Sequence, residues 1–365
     1  MKAAHQVGHF SRATRRLLVL AGFVALALSL LWLGTQRHAI LVVHSESERI
    51  PWTRGIDAGI DQFLVNRNGI RLQRLYLNGR DEERLQEQIA GVHSFVARWR
   101  PGSVIVVDDL AQTAIGARYA GKDTPHIVYS GIEDHARTLA QSSAANVSGI
   151  AERTPWSVIE RTLVHLDVQA SGAPKHAAPA MRRPRVALIS DTGPAADEEA
   201  EGFLSHTWHM ARPVGVWRCA TAEAWQQALR EIAVRADLVV VGDYRSLPMP
   251  PGVAYPTWRR TFATHALEAL HQPMMALSSY AVIDGIPMGV LPSPFEQGEV
   301  AARSAVQRRD PASENAREDG SQHVLTRDFA MVIDADAMAA RKLSVGALDA
   351  YYARLSGRML GVGAP

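Results

Sequence analysis

Short apolar runs that alternate with helical segments, in two successive series, constrain this chain more than any other feature. Ile40–Val43, Arg71–Leu77, Ser103–Val107 and His126–Tyr129 are dense in Val, Ile and Leu, as strands of a covered sheet are. Between them Ile56, Ile60, Phe63 and Leu64 recur at helical spacing. Leu85, Ile89, Val92, Phe95, Val96 and Trp99 do so more strongly. Apolar strands separated by helices mean a parallel sheet covered on both faces. After Ala170–Pro184, an Ala/Pro-rich connection without periodicity, the pattern restarts. Strands are predicted at Val186–Ile189, Val214–Trp217, Leu238–Val241 and Met274–Leu277. Helices near Ala195–Met210, Ala222–Val234 and Trp258–Leu270 separate them. A further run, Ile286–Leu291, leads to a helix around Glu296–Val306. The polar, charged stretch Arg308–His323 reads as mobile, and Phe329–Ile333 as a last strand. The expected fold class is α/β, with two doubly wound parallel-sheet lobes and an interlobe cleft.

A segment without charge precedes the first strand. Leu17 to Gly34, "LLVLAGFVALALSLLWLG", is about the minimum for a helical span of a bilayer. Arg12, Arg15 and Arg16 lie just before it, which keeps the N-terminus cytoplasmic. A cleaved signal and an uncleaved signal-anchor compete here. Cutting after Ala39 would leave Arg37 at the −3 position, a poor fit, so the anchor is the expectation. Everything beyond about Arg37 is then exported.

The chain's slight basic excess, 39 Lys+Arg against 37 Asp+Glu, misleads. Lys2, Arg12, Arg15, Arg16 and Arg37 all precede Glu46, the first acidic residue. The exported body is therefore mildly acidic, which argues against nucleic acid as a partner. The single cysteine, Cys219, excludes an intramolecular disulfide and a multi-cysteine metal site.

In open α/β sheets, ligands sit outside the carboxyl ends of the strands. The first strand ends in His44, Ser45 and Glu46, and Pro51, Trp52 and Thr53 follow. Thr53 or Ser47 is a candidate cap for the next helix. The third ends in Asp108 and Asp109, one of them a candidate cap, and the fourth in Ser130 and Gly131. In the second series the ends carry Asp191 with Thr192 and Asp243 with Tyr244. Each aspartate is either a receiver for a ligand amine or hydroxyl, or a cap or turn former. "SSYAVIDG", Ser278–Gly285, reads as a connection between lobes. There is no Gly-x-Ser-x-Gly elbow, Walker loop, Gly-x-Gly-x-x-Gly or His-Glu-x-x-His. No catalytic set, cofactor or metal site is expected.

At these strand ends the sequence resembles the ABC transporter substrate-binding family. That family has a type I periplasmic solute-binding fold and includes tryptophan- and tyrosine-type binding components and related sensor domains. The opening motif is an apolar strand, His44-Ser45, a short gap, then Pro51-Trp52-Thr53 and a helix. "VIVVDDLA", "TPHIVYSGI", "NVSGIAE" at Asn146–Glu152, "DGIPMGVLPSPFEQGEVAARSAV" with Gln297 and Gly298, and "MVIDADAMAARKL" follow in the family's order. Glu46 stands where the family usually has an aromatic residue, which favours a polar or cationic ligand.

The resemblance implies interleaved lobes: 38–148 plus 284–324 for the first and 149–283 plus 325–343 for the second. A cytoplasmic tip (1–16), an anchor (17–34) and a C-terminal tail (344–365) complete the chain. It implies a small polar ligand touching Ser45, Glu46, Trp52, Asp109, Ser130, Gly131, Asp191, Thr192, Asp243 and Tyr244. The expected protein is a non-enzymatic, membrane-anchored periplasmic solute-binding protein. Its partners would be the bilayer through 17–34 and an ABC permease or a membrane sensor. The alternatives are a ligand-sensing module that signals through a separate partner and an anchored α/β enzyme.

Overall fold

The first apolar run forms β1 (His38–His44), buried at every position after the first. Such a strand has to sit inside a sheet rather than at its edge. The computed structural model describes residues 20–24, 38–78, 82–133, 144–170, 183–307, 323–355 and 359–360. After β1 come α1 (Pro51–Leu64), β2 (Ile70–Tyr76), α2 (Glu82–Trp99) and β3 (Ser103–Val107). The chain continues through α3 (Asp108–Ala111), a π-helical turn (Gln112–Gly116), α4 (Ala117–Tyr119), β4 (His126–Ile132) and β5 (Val147–Ala151). The second series is α5 (Trp156–Ala170), β6 (Arg185–Ser190), α6 (Pro194–Ser205), β7 (Arg212–Arg218) and α7 (Ala222–Arg235). It goes on with β8 (Leu238–Val241), α8 (Tyr255–Ala269), β9 (Met274–Ala276), α9 (Ser279–Ile283) and β10 (Met288–Pro292). The end of the chain forms α10 (Pro294–Gln307), β11 (His323–Leu325), β12 (Phe329–Asp334), α11 (Ala335–Ala340), α12 (Ala347–Leu355) and β13 (Met359–Leu360).

These strands make two sheets, ordered β11-β5-β4-β3-β1-β2 and β13-β12-β10-β9-β8-β6-β7. All pairs in the first are parallel. In the second only β10 and β12 run antiparallel. Each sheet repeats one order, 2-1-3-4-5 in its own numbering, so each has a switch point beside its first strand. Alternating residues of β1 go to opposite faces: Leu41 and Val43 pack with α2, Ile40 and Val42 with α1 and α10. The second sheet is likewise covered on both faces, with Trp225 and Phe262 on one and Phe203 and Trp208 on the other.

The chain passes between the sheets three times. It leaves the first after β5, returns at Ser293 between β10 and α10, and leaves again between β11 and β12. Side chains tie these passages together. Thr326 donates its hydroxyl to the Ala151 carbonyl (2.9 Å), and Glu296 accepts the amides of Arg327 (2.9 Å) and Asp328 (2.7 Å). Gln297 is fully buried and bonds both Thr326 and the Gly131 amide.

Several expectations need correction. Of the 284–324 stretch expected in the first lobe, Ile286–Leu291 forms β10, which pairs with β9 and β12 in the second sheet; α10 and β11 go to the first. No crossing therefore occurs near Ile283, and Ser278–Gly285 is an internal β9–β10 connection carrying α9. The lobe boundary expected between 148 and 149 falls inside strand β5 (Val147–Ala151), and the crossing follows at Glu152. The tail from 344 contributes α12 and β13, which extend the second lobe. Short strands such as β5 and β13 carry too few residues to show a period. The basic tip and, apart from 20–24, the 17–34 segment lie outside the described residues, as do 308–322. Among the described residues no helix is long and apolar enough to cross a membrane.

Candidate functional site

Both switch points end in carboxylates, and the backbone around them is shaped to hold those groups in place. In the first lobe Ser45 is buried. Its hydroxyl donates to the Val107 carbonyl (2.7 Å) and accepts the Ala111 amide (2.9 Å). It thereby caps α3, whose own N-cap, Val107, has no side-chain acceptor. Asp108 has φ 67°, a left-handed conformation uncommon outside glycine. Its carboxylate accepts the Trp52 indole N–H at 2.9 Å. Gly131, φ 66°, runs so close that a Cβ there would stand 2.8 Å from that same carboxylate oxygen. Asp109 accepts the Glu133 amide (3.2 Å), which orders the chain leaving β4.

In the second lobe Asp191 is a turn former. Its two carboxylate oxygens accept the amides of Gly193 (2.8 Å) and Ser246 (2.7 Å). Asp243 holds Arg245: one oxygen receives Nε (2.9 Å) and Nη2 (2.6 Å). The other oxygen accepts the Tyr280 hydroxyl (2.7 Å) and the Arg245 amide (2.7 Å). So fixed, the guanidinium lies over the Tyr280 ring, 5.0 Å from its centroid, and reaches Glu133 of the first lobe at 3.1 Å. Glu199 of α6 accepts the Asp243 amide at 3.0 Å.

A cavity of about 770 Å³ lies between the lobes. Glu133 and Glu152 form one wall; Glu199, Asp243, Arg245 and Tyr280 form the other. All three passages border it, through Thr154, Pro292 and Thr326. Trp156 and Phe329 add aromatic surface, and Arg153 and Arg327 stand exposed on the passages.

The cavity is lined mainly by acidic side chains, and burial disfavours the ionised form of most of them. Burial pushes the Glu152 carboxyl well up, and Glu133, Asp108 and Asp109 add repulsion. Burial likewise raises Glu199, with Asp243 contributing. Glu133 is raised by burial despite Arg245. Burial also works against the Asp243 carboxylate, but the Arg245 charge and the bonds from Arg245 and Tyr280 hold it below its ordinary range. Asp108 is pushed up to about 8, by burial first and then by Glu133, Asp109 and Glu46, against the Trp52 bond.

That last shift has a measurable consequence. A carboxyl raised in the folded state contributes stability below its ordinary pKa, near 4, and loses it as pH rises through about 8. Asp108→Asn cannot ionise and keeps an acceptor for Trp52. Its Tm is expected to gain on the wild type by a few degrees between pH 4 and 8; thermal melts across that range check it.

Of the residues singled out from sequence, only Asp243 lines the cavity. Trp52, Asp109 and Gly131 shape the first-lobe edge near it. Ser45, Ser130 and Asp191 are buried and engaged by backbone or by Gln297. Glu46 is half-buried beside Asp108, and Thr192 is exposed and off the cavity wall. Tyr244 sits in the second-lobe core with its hydroxyl donated to Asp284 (2.9 Å). Sequence reasoning missed Glu133, Glu152, Glu199, Arg245 and Tyr280. Glu133, Glu152 and Arg245 each lie within a few residues of a strand end, so the strand-end rule reaches them when read a little further.

No family model and no curated protein matches the sequence. Solved structures do. The ligand-free, open form of a substrate-binding protein with adhesive properties from Clostridium difficile aligns with TM-score 0.58 at 13% identity, covering 85% of this chain and 96% of that one. A conserved domain protein from Vibrio cholerae gives 0.54 at 13% identity over 86% and 98%. An ABC domain in complex with L-Trp from a Streptococcus gives 0.53 at 11% identity over 86% and 98%. The chain has the type I periplasmic binding fold. At these identities the likeness concerns architecture, and the chemistry has to be read from this chain's own cavity.

Proposed function

We propose that the protein captures a small polar organic molecule between its two lobes, held at the outer face of the cytoplasmic membrane by residues 17–34. The observation that carries this reading is the interlobe cavity, bordered by both sheets' strand ends and all three passages. Its volume, about 770 Å³, falls within the roughly 300–1,000 Å³ usual for small-molecule sites. A ligand touching both walls favours the lobe arrangement that brings them together, by as much as its affinity differs between arrangements. The function needs no bond-making. Two neighbours in fold are described as a substrate-binding protein and a domain holding L-Trp, which supports capture.

Delivery to an ABC permease is the leading use of such capture. A second reading, sensing through a separate membrane partner, is favoured by the uncharged 17–34 segment without a good cleavage site. Native mass spectrometry of the detergent-extracted full chain tests capture; a small molecule bound one-to-one is expected. N-terminal sequencing of the same preparation tests the anchor. The intact N-terminus is expected, and a mature chain starting near Ile40 would overturn it.

A further inference from the structure

We infer that the captured molecule is an organic cation without a compensating carboxylate, and that it competes with Arg245 for Glu133. The inference rests on the capture reading. The cavity defines the site; its carboxylates define the chemistry.

Six acidic side chains line the cavity; four of them, Glu133 and Glu152 on one wall and Glu199 and Asp243 on the other, interact with one another or with Arg245. Asp108 and Asp109 stand close behind the first pair, near enough to repel Glu152. The one cation within this group is Arg245, and it is already committed. Asp243 grips it with both oxygens, and its free edge meets Glu133. Among the described residues the Glu152 carboxylate has no hydrogen bond or ion pair, and Arg245 acts on it only through space. Burial and mutual repulsion disfavour the ionised forms of Glu133, Glu152 and Glu199; a cation between them offsets that cost, and sugar hydroxyls do not. Arg153 and Arg327, exposed on the passages, also line the cavity, but with Arg245 they are three cations against its six acidic side chains, so a ligand carboxylate would add to an existing excess.

The molecule already shows how a planar cation is held here. The guanidinium takes a carboxylate from the second lobe, an aromatic face from Tyr280 and a second carboxylate from the first lobe. The bond to Glu133 is the weak one, since both side chains are 37% exposed. An exposed pair contributes little net stability, so it does not hold the lobes shut. A ligand amine or guanidinium that takes Glu133 and Glu152 together would replace it on the first-lobe wall, and a second cationic group would reach the second-lobe wall at Glu199. Trp156 supplies an apolar surface for the carbon chain between two such groups.

Agmatine, which carries a guanidinium and an amine and no carboxylate, is the probe. The dialysed full chain in detergent is titrated with agmatine, L-tryptophan and D-arabinose, reading Tm and calorimetric heat. Agmatine is expected to bind and raise Tm, and high salt is expected to weaken it. Glu152→Gln is expected to weaken agmatine at least tenfold while the ligand-free Tm stays level or rises; Glu133→Gln serves as the second variant. Binding of L-tryptophan or D-arabinose without agmatine would overturn the cation inference and leave capture standing. If none binds, the mass of any molecule co-purifying decides: a cation supports the inference, and a neutral or anionic molecule overturns it. If nothing co-purifies either, the capture reading falls and the inference falls with it.

Discussion

Gly298→Ala is expected to lower the Tm of the protein by on the order of 5–10 °C. Helix α10 lies against α1 with Gly298 over the Ile56 backbone and Gly59 over the Phe295 backbone. A Cβ at Gly298 would fall on the Ile56 carbonyl oxygen, with the Ile60 amide nitrogen 3.0 Å away. Backbone cannot rotate aside as a flexible side chain can, so the two helices have to part. Overpacking of this kind costs roughly 1–3 kcal/mol or more. The better helix propensity of alanine returns about 1 kcal/mol at most. At roughly 2–4 °C per kcal/mol for a lobe of this size, a cost at or above the upper end gives the expected fall. Gly91→Ala is the internal comparison. Gly91 is exposed in α2 with nothing near its missing Cβ, so alanine there should stabilise by about 0.5–1 kcal/mol. Melts of the two variants measure packing separately from propensity.

Asp243→Ala is expected to lower the ligand-free Tm as well as to abolish ligand binding. Were Asp243 a ligand contact alone, its loss would leave the empty protein unharmed. Its surroundings say otherwise: it accepts four groups, and its removal strands both the Arg245 guanidinium and the Tyr280 hydroxyl. Breaking a fully buried pair costs roughly 3–5 kcal/mol. Arg245 is 37% exposed and recovers part of that from water, so the loss should be smaller. Asp243→Asn keeps acceptors for Tyr280 and the Arg245 amide and should fall between the two. An unchanged Tm in Asp243→Ala would show that Arg245 is held by something other than this carboxylate.

The sequence was informative where physical periods are long. Buried parallel strands and amphipathic helices repeat over enough residues that their order, and with it the two-lobe plan, could be read from Val, Ile and Leu spacing. It was least informative where an element is short or a choice is tertiary. β10 looks like any apolar run, and its membership in the second sheet is decided by pairing with β9 and β12. The site shows the same division. The strand-end rule led to Asp191 and Asp243, which have the same residue type at the same position. One is consumed by two backbone amides and the other holds an arginine at the cavity wall. Nothing in a linear pattern separates them. Glu199 and Tyr280 reach the cavity from helices, outside any strand-end pattern.

Hydrogen–deuterium exchange compares the protein as isolated with the same protein stripped of small molecules by unfolding and refolding. It tests most directly whether a molecule is held between the lobes. The account predicts that bound ligand slows exchange in both walls together, at residues 152–157 on the first passage and at 195–202 and 243–246 in the second lobe. Protection confined to one lobe, or found only away from the cavity, would contradict it.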